Sequence, residues 1–193
     1  MAIYEVLSTP AFRCKINLRS MRRVSIHEKA TLLGDVVFAV NDGIITTFAV
    51  VAGVTGASLS PSVILILGFA NLFADGLSMA SGHYLGIKSE IEYQKAQRNV
   101  KGLAHSPVTH GLVTFVAFIL AGLVPLLPYL FNFAERFMVS TLLVAGTLFW
   151  VGAVRAYLAK KNIFSGGAEM LMIGGAAATL AFIVGFLLRK YVI

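Results

Sequence analysis

Asp42 and Asp75 set the chemical question. Each lies in the middle of a long apolar run, Val36–Ala57 and Val63–Ile87, neither of which contains Lys or Arg. A carboxylate at the centre of a bilayer costs about 2.5–3.5 kcal/mol on insertion scales. Two of them without an internal counter-charge require a cation, a proton or water. Neighbouring polar residues keep helical spacing. Asp35 precedes Asp42 by seven residues and Thr46 follows it by four, so the three share one face. In the second run Asn71, Asp75, Ser78, Met79, Gly82 and His83 form a single stripe, which Glu90 extends. Carboxylate oxygens alone suit Mg(II) or Ca(II). The thioether of Met79 and the imidazole of His83, one turn apart, move the preference toward first-row transition metals. Asp35, Asp42, Asn71, Asp75, Met79 and His83 are therefore the candidate ligands. Carboxylates that release protons to bind metal also supply a route to proton coupling.

The elements that position these residues are membrane spans. The chain has 193 residues, 58% hydrophobic and 13% charged, with a mean hydropathy of +0.82. Soluble domains are about 25% charged. Five runs, Val36–Ala57, Val63–Ile87, Val108–Phe131, Phe137–Leu158 and Ala168–Leu188, are 21 to 25 residues long. Roughly 20 residues of helix cross the ~30 Å hydrocarbon core. None of the runs shows the alternation of a barrel strand. An all-α membrane protein with five transmembrane helices follows, which excludes a water-soluble globule, a nucleic-acid-binding module and a disulfide-stapled secreted domain.

Charge gives the orientation. With a cytosolic N-terminus, 13 of the 16 Lys and Arg fall inside; only Arg136, Arg189 and Lys190 fall outside. The positive-inside rule puts the N-terminus in the cytosol and the C-terminus outside. The net charge of +7 thus reads as topology and contact with lipid headgroups, not nucleic acid. Asp42 and Asp75 come to similar depth, with Asp35 and His83 near the cytosolic mouth. Residues 1–29 read as a basic cytosolic tail on the membrane surface, without the apolar core of a secretory signal, and 30–193 as the transmembrane domain. Cys14, the single cysteine, has no partner for an internal disulfide.

The connections carry their own expectations. Ser60 reads as an N-cap with Pro61 at the first helical position. Pro125 and Pro128 end the third helix, and Lys160–Gly167 forms a loop closing on Gly166-Gly167. His105 and His110 straddle Pro107 in a connecting segment, and Glu90 and Glu92 belong to a solvated helix extension. Two ridges repeat small residues every four positions: Ala70, Ala74, Ser78, Gly82 and Gly86 in the second run, and Ala177, Ala181 and Gly185 in the fifth. Such ridges serve packing within a chain or between copies, and spacing alone does not separate the two. The third to fifth runs hold no base or nucleophile cluster, so no enzyme is expected. A proton or divalent-cation channel, or a non-transporting metal-dependent membrane enzyme, are the rival classes.

The stretch from Asp42 through Gly43-Ile44-Ile45-Thr46-Thr47 to Ala57, followed by Ala70-Asn71-Leu72-Phe73-Ala74-Asp75 through Met79 and His83 to Leu85, resembles the vacuolar iron transporter family. The resemblance implies a homodimer formed through helices 1 and 2 that exports Fe(II), and also Mn(II), from the cytosol in exchange for protons. The metal is cargo, and no resident cofactor is implied. The family's first-helix Asp falls on Asp42 and its second-helix Met on Met79. Fuller members carry Glu where this chain has Asn71 and His83, and a long cytosolic metal-binding insertion between spans two and three. Only about 20 residues, Lys88–Pro107, stand there in this chain, which points to a short branch without that domain.

Overall fold

The computed structural model describes residues 18–97 and 106–192, with side chains over 30–97 and 106–192. Helices α1 (Leu18–Gly56) and α2 (Pro61–Ala96) form the first pair. Next come α3 (Pro107–Leu123), a 3-10 turn (Val124–Leu126) and a single helical turn, α4 (Leu127–Leu130). Helices α5 (Arg136–Leu158) and α6 (Ile163–Tyr191) complete the chain. Five segments are long and apolar enough to span a membrane: Ala30–Gly56, Pro61–Ala96, Pro107–Leu130, Arg136–Leu158 and Ile163–Tyr191. The chain is an integral multi-pass membrane protein. One end of the bundle carries Ala30, the last turn of α2, the first turn of α3 and the α5–α6 connection. The other carries the 57–60 and 131–135 turns.

α1 is the central helix and touches each of the other four spans. Its Ile44, Phe48, Val51 and Val54 form the main core with Ile64 of α2, Leu126, Tyr129, Val144 and Leu148, and Met170 of α6. A smaller cluster joins Ala39, Leu72 and Phe118. In lipid, helices associate through close van der Waals packing and not through water exclusion. Gly43 shows how close: a Cβ there would lie 2.6 Å from the carbonyl oxygen of Phe118. α1 runs unbroken from Leu18, so no turn separates residues 18–29 from the span. Cys14 and His105 lie outside the described residues.

Three local expectations meet the structure with different outcomes. The α-helix of the third span does end before the prolines, at Leu123, while the span itself continues to Leu130. Pro125 and Pro128 sit in the 3-10 turn and α4, both buried, and convert the helix into a tighter path that still crosses. The break is satisfied where Ser140 Oγ donates to the Pro125 carbonyl at 2.8 Å. Gly166 and Gly167 close no loop. Asn162 caps α6, its Oδ1 accepting from the backbone N–H of Phe164 (3.0 Å) and Ser165 (3.4 Å). Both glycines therefore lie inside the helix, where Gly167 packs on the Phe149 ring and Gly166 against the Gly152 backbone. Ser60 does occupy the N-cap of α2 with Pro61 behind it, but its side chain caps nothing. It lies 3.4 Å from Ser62 Oγ instead.

The two small-residue ridges have opposite fates. Gly53 of α1 faces the Ala181 carbonyl of α6, and a Cβ on Gly185 would strike the backbone of Gly53. In α2 it is Ile64, Gly68, Leu72 and Gly76 that face inward. Ala70, Ala74, Ser78, Gly82 and Gly86 all remain exposed, and among the described residues nothing lies within 4 Å of a Cβ built on Gly82 or Gly86.

Candidate metal site

α1 and α2 run side by side, so residues of equal depth meet. Asp42 and Asp75 sit at middle depth in their spans, both half-buried, and close enough for their charges to interact. Among the described residues no hydrogen bond or ion pair reaches the Asp42 carboxylate. Asp75 has one partner: Asn71 Nδ2 donates to its Oδ2 at 2.7 Å, one turn away on the same helix. That bond leaves Asn71 with a carbonyl oxygen as a neutral donor for a cation. Thr46 Oγ1 turns back to the Asp42 backbone carbonyl at 2.8 Å and adds nothing to its carboxylate.

Met79 is in phase with Asp75 but not given over to it. Its side chain packs against the Ala39, Leu72 and Phe118 cluster, so the thioether serves as packing as well as a soft donor. Ser78 and Gly82 of the same stripe are exposed. The stripe thus runs along the seam between the inward and the bare face of α2.

Two turns toward the basic end a second polar group closes on itself. Asp35 is 8% exposed and lies between two imidazoles. His83 Nδ1 stands 3.3 Å from Asp35 Oδ1, and His110 Nδ1 meets Asp35 Oδ2 from the first turn of α3. The side chain of Phe38 leans on the His83 ring, centroids 6.2 Å apart. One carboxylate therefore ties α1, α2 and α3 together, in the low-dielectric setting where such bonds are strong. Asp35 and His83 do meet at this end, but away from Asp42 and Asp75. Among the described residues no three His, Cys, Asp or Glu side chains converge on one point fit to hold a metal ion. The six candidates form a midplane group, Asp42, Asn71 and Asp75, a packed Met79, and a separate Asp35–His83 contact.

His110 is the residue that reading along the chain misplaced. It belongs to no connecting segment. Ser106 accepts from the Thr109 N–H as N-cap of α3, which makes His110 a first-turn residue, fully buried. A signal was present: His110, Thr114, Phe118 and Gly122 keep four-residue spacing, and all four are buried. Glu90, by contrast, is exposed and accepts from Gln94 Nε2 at 3.0 Å, as a solvated helix extension should.

A family model described as the VIT family matches residues 33–102 and 99–186. The vacuolar iron transporter of Toxoplasma gondii is 27% identical over 224 aligned residues, covering 81% of this chain and 74% of that protein. The vacuolar iron transporter homolog 1 of Arabidopsis thaliana is 28% identical over 167 residues, covering 80% of this chain and 82% of its own length. A vacuolar iron transporter of Plasmodium berghei reaches 39% identity over 66 residues, 34% of this chain. Nearly the same share of this chain is spread over 224 aligned positions in the first case and 167 in the second. The Toxoplasma protein therefore carries extra residues that this chain lacks.

Proposed function

The chain belongs to the VIT family, and from that premise we propose that it is a transition-metal transporter. Its cargo is Fe(II), with Mn(II) as a second substrate, moved out of the cytosol in exchange for protons. The single observation that carries the reading is the Asp42 carboxylate, half-buried at mid-span and without a hydrogen-bond partner among the described residues, its charge interacting with that of Asp75, which accepts from a neutral amide. An ionised pair of this kind is costly in lipid. Protonated, it is neutral; with a divalent cation between the two oxygens, it is also neutral. Either state is tolerable, and the two exclude each other. Competition of metal and proton for the same carboxylates is what an exchanger needs.

In this reading Asp42 and Asp75 carry the cation and the protons, and the Asn71 carbonyl completes an oxygen set. The Met79 thioether shifts the preference away from Mg(II) and Ca(II). Asp35 with His83 closes the cytosolic end. A homodimer through α1 and α2 is the second part of the proposal. The bare ridge of α2 and the half-exposed stripe beside it leave carboxylates at a surface that lipid cannot solvate. A second copy would cover that surface and supply the ligands that one chain lacks. The names of the relatives from Toxoplasma gondii and Arabidopsis thaliana agree with iron as the cargo.

The test is transport by the purified chain in liposomes. With an iron-sensitive dye inside, the expected result is saturable Fe(II) entry that quickens under an opposing proton gradient and releases protons to the other side. A steady current without metal selectivity, or metal-dependent product formation without flux, would contradict it.

A further inference from the structure

A second site lies on the far side of α1 from α2. Helices α3 and α5 stand apart there as the walls of a groove whose floor is α1, enclosing about 710 Å³. Leu33 and Val40 of the floor, Leu112 and Leu120 of one wall, and Trp150 and Val154 of the other make its lining almost wholly apolar. On α5 the lining runs from Thr147 to Leu158, about 16 Å at the helical rise. That is half of the ~30 Å hydrocarbon core, the depth of one leaflet. The groove stops at mid-depth because the 3-10 turn swings against α5, where Ser140 holds the Pro125 carbonyl.

Its open end is basic. Arg155 lines the groove at the headgroup level and also lines the adjoining cleft with Lys161. Lys160 is exposed beside them. The guanidinium pairs with Glu169, yet Arg155 is still 40% exposed at its side chain and has five N–H donors to share. Three cations stand against one carboxylate. We propose that this groove is a binding site for an anionic phospholipid of the leaflet at the basic end. One acyl chain would lie along α1 between α3 and α5, and the phosphate would sit on Arg155. Length, apolarity, the closed inner end and the charge at the mouth each fit that occupant. None of them depends on the transport reading.

The chain supplies its own probe, because its single tryptophan, Trp150, lines the groove. The full chain is reconstituted in phosphatidylcholine vesicles containing a small, increasing fraction of phosphatidylglycerol brominated on an acyl chain, and tryptophan fluorescence is followed. A specific site gives saturable quenching, enriched about five-fold over brominated phosphatidylcholine at equal fraction, the factor one basic residue supplies near an anionic surface. Arg155→Gln should bring the two lipids to equal quenching. Glu169→Gln, which frees the guanidinium, should raise the preference. Equal quenching by the two lipids in the unaltered chain would overturn the proposal, as would a preference untouched by Arg155→Gln or by Glu169→Gln.

Discussion

Helices α2 and α6 carry the same sequence signal and use it in opposite ways. On α6 the ridge ending in Gly185 is seated on α1, backbone against backbone. On α2 the ridge through Gly82 and Gly86 meets nothing among the described residues. α6 is the helix with no acidic residue at mid-depth, and α2 is the one with Asp75. Close packing and polar chemistry are thus divided between the two sides of α1. Where glycines bring backbones together there is no room for a cation. Where the ridge is bare, carboxylates lie along its edge.

The largest effect should come from spoiling the seated ridge. Gly185→Leu forces a side chain into the Gly53 backbone and should cost about 3 kcal/mol or more, seen as a drop in the thermal unfolding midpoint in detergent. An unchanged midpoint would mean that α6 is not seated as described. His110→Asn comes next. It deprives the buried Asp35 carboxylate of a hydrogen bond, a loss of about 2–3 kcal/mol for a bond to a charged group. His83→Ala, at 3.3 Å and more exposed, should cost less than half of that. If the two rank in reverse order by the same unfolding measurement, α3 is not the chief partner of Asp35. Ser140→Ala removes the bond to Pro125 and should cost about 1 kcal/mol. The smallest change in stability is expected at the bare ridge. Gly82→Leu should leave the unfolding midpoint of the single chain where it was and abolish the cross-linking that the proposed homodimer predicts, so a destabilised monomer would contradict the division between the helices.

The five spans were legible because lipid demands a long apolar helix, and apolar runs that hold no Lys or Arg, save Arg155 in the last turn of the fourth, leave few alternatives. The meeting of Asp35 and His83 followed from depth alone, since α1 and α2 run in opposite directions through the same thickness. The nearness of Asp42 and Asp75 followed in the same way. Other features depend on the rotation of a helix about its axis, which composition does not report. His110 was hidden because Pro107 looks like punctuation whether it breaks a helix or begins one. Gly166-Gly167 looked like a turn, because the same missing Cβ serves a turn and a close helix crossing. The two small ridges could not be told apart by any local signal. Only the placement of α1 between α3 and α6 leaves one covered and the other bare.

The central claim is that Asp42 and Asp75 together carry the cargo. It is tested most directly by Fe(II) flux into liposomes under a proton gradient, comparing the unaltered chain with Asp42→Ala and Asp75→Ala at matched protein incorporation. The account predicts that each substitution lowers the flux by at least about ten-fold, the effect of losing roughly 1.4 kcal/mol of cation binding, and that the double variant is no faster than background leak. Flux equal to that of the unaltered chain in both single variants would contradict it.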